Sequence, residues 1–222
     1  MATNPQLQKV IVDSLGTVPA ASVFHHDRNL ADAGLRTVGG RGRGGAQMTA
    51  ADAAAELLVC VASPSVKDTV KVYNRYKSLL PHDPLRADEL YATLPEVSAV
   101  LMRKHTFIDL LTAFVESAIS GTLREHLTNR TPSPVEIVHA KALKFQFIGP
   151  HPMVDVKIPL IPQQSGISGR YADAGPANYD PATIEAWSRK LAKKNGPIGD
   201  LDEIRIFSGV TLLAVGDVLR KK

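Results

Sequence analysis

The chain has little of what builds a disulfide scaffold, a membrane span or a thiolate metal centre. A single cysteine, Cys60, excludes an internal disulfide and any zinc site made from several thiolates. It stands in the apolar run Leu57-Leu58-Val59-Cys60-Val61, so it reads as a small buried hydrophobe. Burial without a basic neighbour raises a thiol's pKa, which argues against a reactive role. No apolar run approaches the ~18 residues that a spanning helix requires. Met1-Ala2-Thr3-Asn4-Pro5 has no basic stretch leading into an apolar one, so no secretory signal is expected. These absences predict a soluble protein of a reducing cytoplasm. No internal repeat is visible.

What is present is ordinary for a globular chain. Of 222 residues, 44% are hydrophobic and 22% charged, enough to bury a core in one large or two small domains. Lys and Arg total 26 against 22 Asp and Glu, a formal charge of +4. That excess permits nucleic-acid binding without demonstrating it. Composition shifts divide the chain into zones at 1–80, 81–130 and 131–222.

In the first zone, Leu7, Val10, Ile11 and Leu15 fall at helical spacing. Asn4 is the expected N-cap, Pro5 the first helical residue and Gly16 the stop. Pro19 opens a second helix running to Ala33, closed by Gly34. Five glycines in residues 39–45 forbid a regular helix there. Thr49 caps a third helix over 50–62, and Ser65 caps a fourth with an apolar stripe Val66, Val70, Tyr73 and Leu80.

The middle zone is helical from Glu96 to about Leu127, with a break near Lys104 and an apolar stripe that reads as core ahead of a dimer seam. In the last zone, 135–138, 143–148, 154–158 and 204–207 alternate as strands do. Residues 163–179 read as a long loop, 181–194 as a helix and 210–219 as a final helix. Pro159 and Pro162 mark a strand edge or exit.

The Gly/Arg segment is the sharpest signal. A phosphate cradle is disfavoured, because no Gly-Lys-Ser/Thr ending follows and no strand precedes it in a βαβ unit. Two readings remain: a flexible solvent loop, or a wing whose Arg41 and Arg43 pair with phosphates. The order helix, short turn, helix, hairpin, helix favours the wing, because it is that of a winged helix-turn-helix. The second helix would then enter the major groove, offering Ser22, His25, His26, Arg28 and Asn29 to base edges or phosphates. Val23, Leu30 and Ala33, with Phe24 nearby, would form its buried side. Arg36 adds a third guanidinium within eight residues of Arg43 and no acid lies between them.

Residues 5–62 resemble the DNA-binding domain of MerR-like winged-helix regulators. The matching pieces are Arg28 with Ala33-Gly34-Leu35, the Gly39–Gly45 wing, and Met48-Thr49-Ala50-Ala51-Asp52. Phe24-His25-His26 replaces the tyrosine-rich end of the family's recognition helix, and its long coiled coil is not apparent. A cysteine effector site of the family's kind is impossible with Cys60 alone. The resemblance therefore implies the DNA-binding architecture, not the family's sensing mechanism.

Other constellations carry less. His25 and His26 are adjacent and point about 100° apart on a helix, and no His-x-x-x-His pair occurs, so no metal site is expected. Ser168 lies outside a Gly-x-Ser-x-Gly elbow, so no catalytic residue is assigned. Arg170, Tyr171 and Tyr179 are loop candidates for partner contact. Arg189, Lys190, Lys193 and Lys194 read as a solvated helix end, with Trp187 as a core anchor. The expected fold class is α+β: an N-terminal winged helix-turn-helix, a helical connecting or oligomerisation region, and a C-terminal mixed α/β module for oligomerisation or regulation. The expected function is a sequence-specific DNA-binding protein, a transcriptional regulator, without cofactor or enzymatic activity. Its expected partners are double-stranded DNA and further copies of itself, as a homodimer or higher homo-oligomer. The alternatives are a phage-type packaging or replication accessory of the small-terminase kind, and a protein-interaction module that does not bind DNA.

Overall fold

A computed structural model describes residues 2–38, 47–128, 135–149, 152–160, 165–173 and 203–220, with helical positions 182, 183, 185, 186, 189, 190 and 193 between the last two segments. The chain is α+β, with helices packed on one antiparallel sheet. Helices α1 (Asn4–Leu15), α2 (Ala20–Asp32) and α3 (Ala50–Ala62) come first, then a 3-10 turn (Val66–Asp68) and α4 (Thr69–Lys77). Strand β1 (Leu80–Asp83) precedes α5 (Pro95–Leu101), α6 (Phe107–Ser120), α7 (Thr122–Thr128) and α8 (Val135–Ala142). Strands β2 (Lys144–Gly149), β3 (Met153–Leu160), β4 (Ser165–Ala172) and β5 (Glu203–Ser208) follow, and α9 (Gly209–Arg220) closes the fold. The sheet order is β1-β4-β3-β2-β5.

The strands alternate as half-buried strands must. Phe145, Phe147, Val154, Val156, Ile158, Ile167, Tyr171 and Phe207 face inward and are buried. Helix α6 lies over them. Its Phe107 meets Phe147 edge-on at 5.6 Å, and its Phe114 meets Phe145 at 5.1 Å. The apolar stripe of α5 and α6 is therefore core within the chain, as its spacing predicts. Residues from Ala2 to Leu219 join one hydrophobic cluster, in which α1 packs on α9 and α3 on α6. No helix among the described residues is long and apolar enough to cross a membrane.

Several local expectations are overturned. Val135–Val138 is the start of α8, not a strand. The short run V-E-I-V satisfies both periods, and α8 is decided by packing: Gly209 at the start of α9 closes on it so tightly that a Cβ there would lie 2.9 Å from the Ala140 carbonyl. Residues 165–172 form β4 rather than loop. Glycines 166 and 169 hide this strand from propensity, but a Cβ at Gly169 would meet Asp83 O at 2.8 Å and Leu85 Cγ at 2.7 Å. Glycine there marks a close backbone approach. On β4, Arg170 pairs with Asp155 at 2.6 Å, and the buried Tyr171 hydroxyl bonds His105 Nε2 at 2.7 Å. Both side chains are thus engaged within the chain, while Tyr179 and Trp187 lie outside the described residues. The helix expected over 96–127 is three helices, broken at Gly121 with φ 105° as well as near Lys104. Leu80 begins β1 rather than ending a helix. Pro159 sits in β3 beyond the reach of β2, where its missing N–H breaks no ladder.

Helices α6 and α9 cross at Gly216, where a Cβ would stand 2.6 Å from the Ala118 carbonyl carbon. Arg220 then reaches over to donate to Ala118 O at 2.6 Å and Ile119 O at 2.7 Å, satisfying the carboxyl end of α6. On an isolated helix Gly216→Ala would gain about 1 kcal/mol. Here the clash is with backbone, so the sign reverses. Urea denaturation should show a net loss of about 1–3 kcal/mol for this variant.

Candidate nucleic-acid interface

The candidate surface is built from α1 upward. Gln6 Oε1 accepts from the Thr3 backbone N–H at 2.8 Å, so Thr3 rather than Asn4 caps the helix. That frees the Asn4 amide to donate to Asp27 Oδ2 on α2 at 2.9 Å. Gly16, with φ 66°, ends α1 and returns its N–H to Val12 O. The chain turns through Thr17 and Val18 into α2 at Pro19. Helix α2 ends in a Schellman arrangement: Gly34 has φ 65° and Leu35 N–H donates to Leu30 O at 2.9 Å.

Helix α2 has two faces with different work. Val23, His26, Asp27 and Leu30 are buried, at the i, i+3, i+4, i+7 spacing of one helical face. Ala20, Ala21, Phe24, His25, Arg28 and Asp32 are exposed. His25 and Arg28 are thus presented outward, as expected, and Arg28 lies 3.6 Å from Asp32 with both side chains in solvent. Ser22 is half-buried, at a cleft of about 460 Å³ between the α1–α2 turn, the end of α3 and β5.

His26, Asn29 and Arg36 are engaged inside the chain instead. Thr69 Oγ1 donates to Val66 O at 2.6 Å and accepts from His26 Nδ1 at 2.8 Å. Asn29 donates to the same Val66 O at 2.6 Å. These bonds fasten α2 to the turn before α4. Burial, and then the Arg205 guanidinium, push the His26 imidazole down to about 4, so it is neutral at neutral pH. Arg36 forms a buried ion pair with Asp27, donating from Nη2 at 2.8 Å, and also donates to Thr37 O at 2.6 Å.

The described flanks of the expected wing hairpin do not pair as strands with each other; they are tied to α3 and to the chain's start instead. Asp52 accepts from Thr37 N–H at 2.7 Å, Thr49 N–H at 2.8 Å and the Thr49 hydroxyl at 2.8 Å. Burial works to raise this carboxyl, but the N–H bonds from Thr37 and Thr49 outweigh it and hold it below the usual range. Thr3 bridges Gln47, and Met48 N–H donates to Ala2 O, so the returning arm runs beside the chain's start. Arg41 and Arg43 lie outside the described residues. One turn along α3, Glu56 is fully buried without a hydrogen-bond partner for either oxygen. Burial and the nearby Asp27 push it up to about 8, against the pull of Arg36. Cys60, one turn further, is buried and its thiol is pushed well up by burial. Among the described residues no group of three His, Cys, Asp or Glu is placed to hold a metal.

No family model, curated protein or solved structure matches the chain.

Phe24, expected near the buried side of α2, lies elsewhere. It is 52% exposed, on the outward stripe rather than the buried side, and Ala33 is exposed with it. The helical period already carried the signal: Phe24 is one residue, about 100°, from the Val23–Leu30 face.

Proposed function

We propose that the chain is a sequence-specific DNA-binding protein, a transcriptional regulator, that reads duplex DNA with α2 and grips the backbone with the arginines of residues 39–45. The observation that carries this reading is the outward stripe of α2. It begins with two alanines, which let a helix approach a groove floor, and continues through Phe24, His25 and Arg28. The Arg36–Asp27 pair and the Asp52 clamp fix where the Arg41 and Arg43 segment leaves and rejoins the domain. One helix and one wing bury little DNA surface, so the protein works as a homodimer or higher homo-oligomer.

Fluorescence anisotropy with a labelled random duplex tests this. Binding should weaken steeply as salt rises, with log K falling by about 0.9 per log unit of salt for each phosphate neutralised. The double variant Arg41→Ala, Arg43→Ala should lower that slope by about two per protomer and weaken all sequences alike. Arg28→Ala should instead change which sequences are preferred. Absence of duplex binding at low salt would sink the reading.

A further inference from the structure

We infer that Phe24 is a specificity-determining residue that reads the C5-methyl group of a pyrimidine in the major groove, with Arg28 reading a guanine beside it. This rests on α2 being the recognition helix. Phe24 is a large aromatic side chain left half in water on a folded domain. It stands in the second turn of α2, within the amino-terminal part that enters a groove in helix-turn-helix docking. Its neighbours on the stripe do not cover it. Ala20 and Ala21 are too short, and His25 meets the ring edge-on, with centroids 5.6 Å apart and planes at 72°. That contact supports the ring while leaving it outward.

The chemistry of the groove narrows what the ring can read. Phenylalanine has no donor or acceptor, so it cannot answer the polar edges of guanine, adenine or unmodified cytosine. The apolar group displayed in the major groove is the C5-methyl of thymine. A 5-methylcytosine presents the same methyl. Arg28 follows at i+4, on the same side of the helix. Four residues advance a helix by about 6 Å, and base pairs rise about 3.4 Å. The preferred site therefore carries a methylpyrimidine and a guanine about two base-pair steps apart, the guanine taking the Arg28 fork at O6 and N7.

The test uses the full chain and duplexes selected from a random pool. At the recognised position thymine is replaced by deoxyuridine, which removes the methyl alone. Wild-type binding should fall about fourfold, the worth of one buried methyl-sized group. Phe24→Ala, an exposed-helix change that favours folding, should bind the two duplexes equally. Arg28→Ala should keep the thymine preference and lose the guanine. Placing cytosine and then 5-methylcytosine at that position separates the sources: recovery with 5-methylcytosine assigns recognition to the methyl, and failure to recover restricts it to thymine. A Phe24→Ala protein that still discriminates thymine from deoxyuridine overturns the inference, as does a defined selected site with no methyl dependence. A chain that selects no sequence at all overturns the recognition-helix reading itself, a different result from either.

Discussion

Arg36→Ala is expected to cost about 3–5 kcal/mol of folding stability, the range for removing one partner of a buried ion pair. Urea denaturation would read it directly, and the melting temperature should fall on the order of 10 °C. The reason lies in what surrounds Asp27. It is buried on α2, beside the buried Glu56 and Asp52 of α3, and Arg36 is the cation paired with it. Without the guanidinium, Asp27 must take up a proton or remain an uncompensated buried charge. The Asn4 amide still donates to it, but one neutral donor does not replace a guanidinium charge. The double variant Asp27→Asn, Arg36→Met should recover much of the loss, because it leaves no orphan charge. A double variant as unstable as Arg36→Ala would show that the cost comes from the arginine's packing instead. The same change should impair DNA binding at low temperature, where the protein stays folded, because Arg36 anchors the arm that leads to Arg41 and Arg43.

The second large effect is a pH dependence centred on Glu56. Its carboxyl is raised from 4.5 to about 8 in the folded chain, so the folded state keeps a proton that the unfolded state has released. Stability is therefore fully present below the unfolded value and is lost as pH rises towards 8, levelling off above it. For this one buried group the loss across that window is on the order of 3–5 kcal/mol. Asp52 runs the opposite way. Its lowered pKa contributes stability above the ordinary carboxylate range that is lost only in acid. Denaturation midpoints measured from pH 6.5 to pH 9, above the acid window in which the buried neutral His26 makes its own contribution, should fall and then flatten. Glu56→Gln keeps the size of the side chain and removes the titration, so its profile should be nearly level over the same interval. An unchanged slope in Glu56→Gln would assign the dependence to another group.

Much of the fold is legible in the sequence. Helix α3 begins and ends where Thr49 and the alanine-rich run place it, and the capping box between Thr49 and Asp52 is why. Strands β2, β3 and β5 follow their alternation to within a few residues. Strand β4 was not legible, because its glycines lower local propensity while serving a contact with Asp83 and Leu85, some 80 residues earlier in the chain. The outward half of α2 was partly legible. His25 and Arg28 are exposed, as a polar outward face requires, but His26 lies between Val23 and Leu30 on the buried face, where hydrogen-bonding capacity alone does not place it.

The sequence by itself determined the α+β class, the N-terminal helices, the Thr49 cap of α3 and the burial of the cysteine. Those follow from periodicity, capping chemistry and composition, all of which act over a few residues. Tertiary structure alone decided which polar side chains of the N-terminal region face solvent and which are held inside. Asn29 and His26 meet Thr69, and Asp27 meets Asn4, only because separate helices converge, while the chain after α2 turns back to bring Arg36 to Asp27. Burial of a polar residue depends on partners distant in the chain, and a period of 3.6 cannot name them. That convergence leaves Phe24, His25 and Arg28 exposed on the outward face of α2.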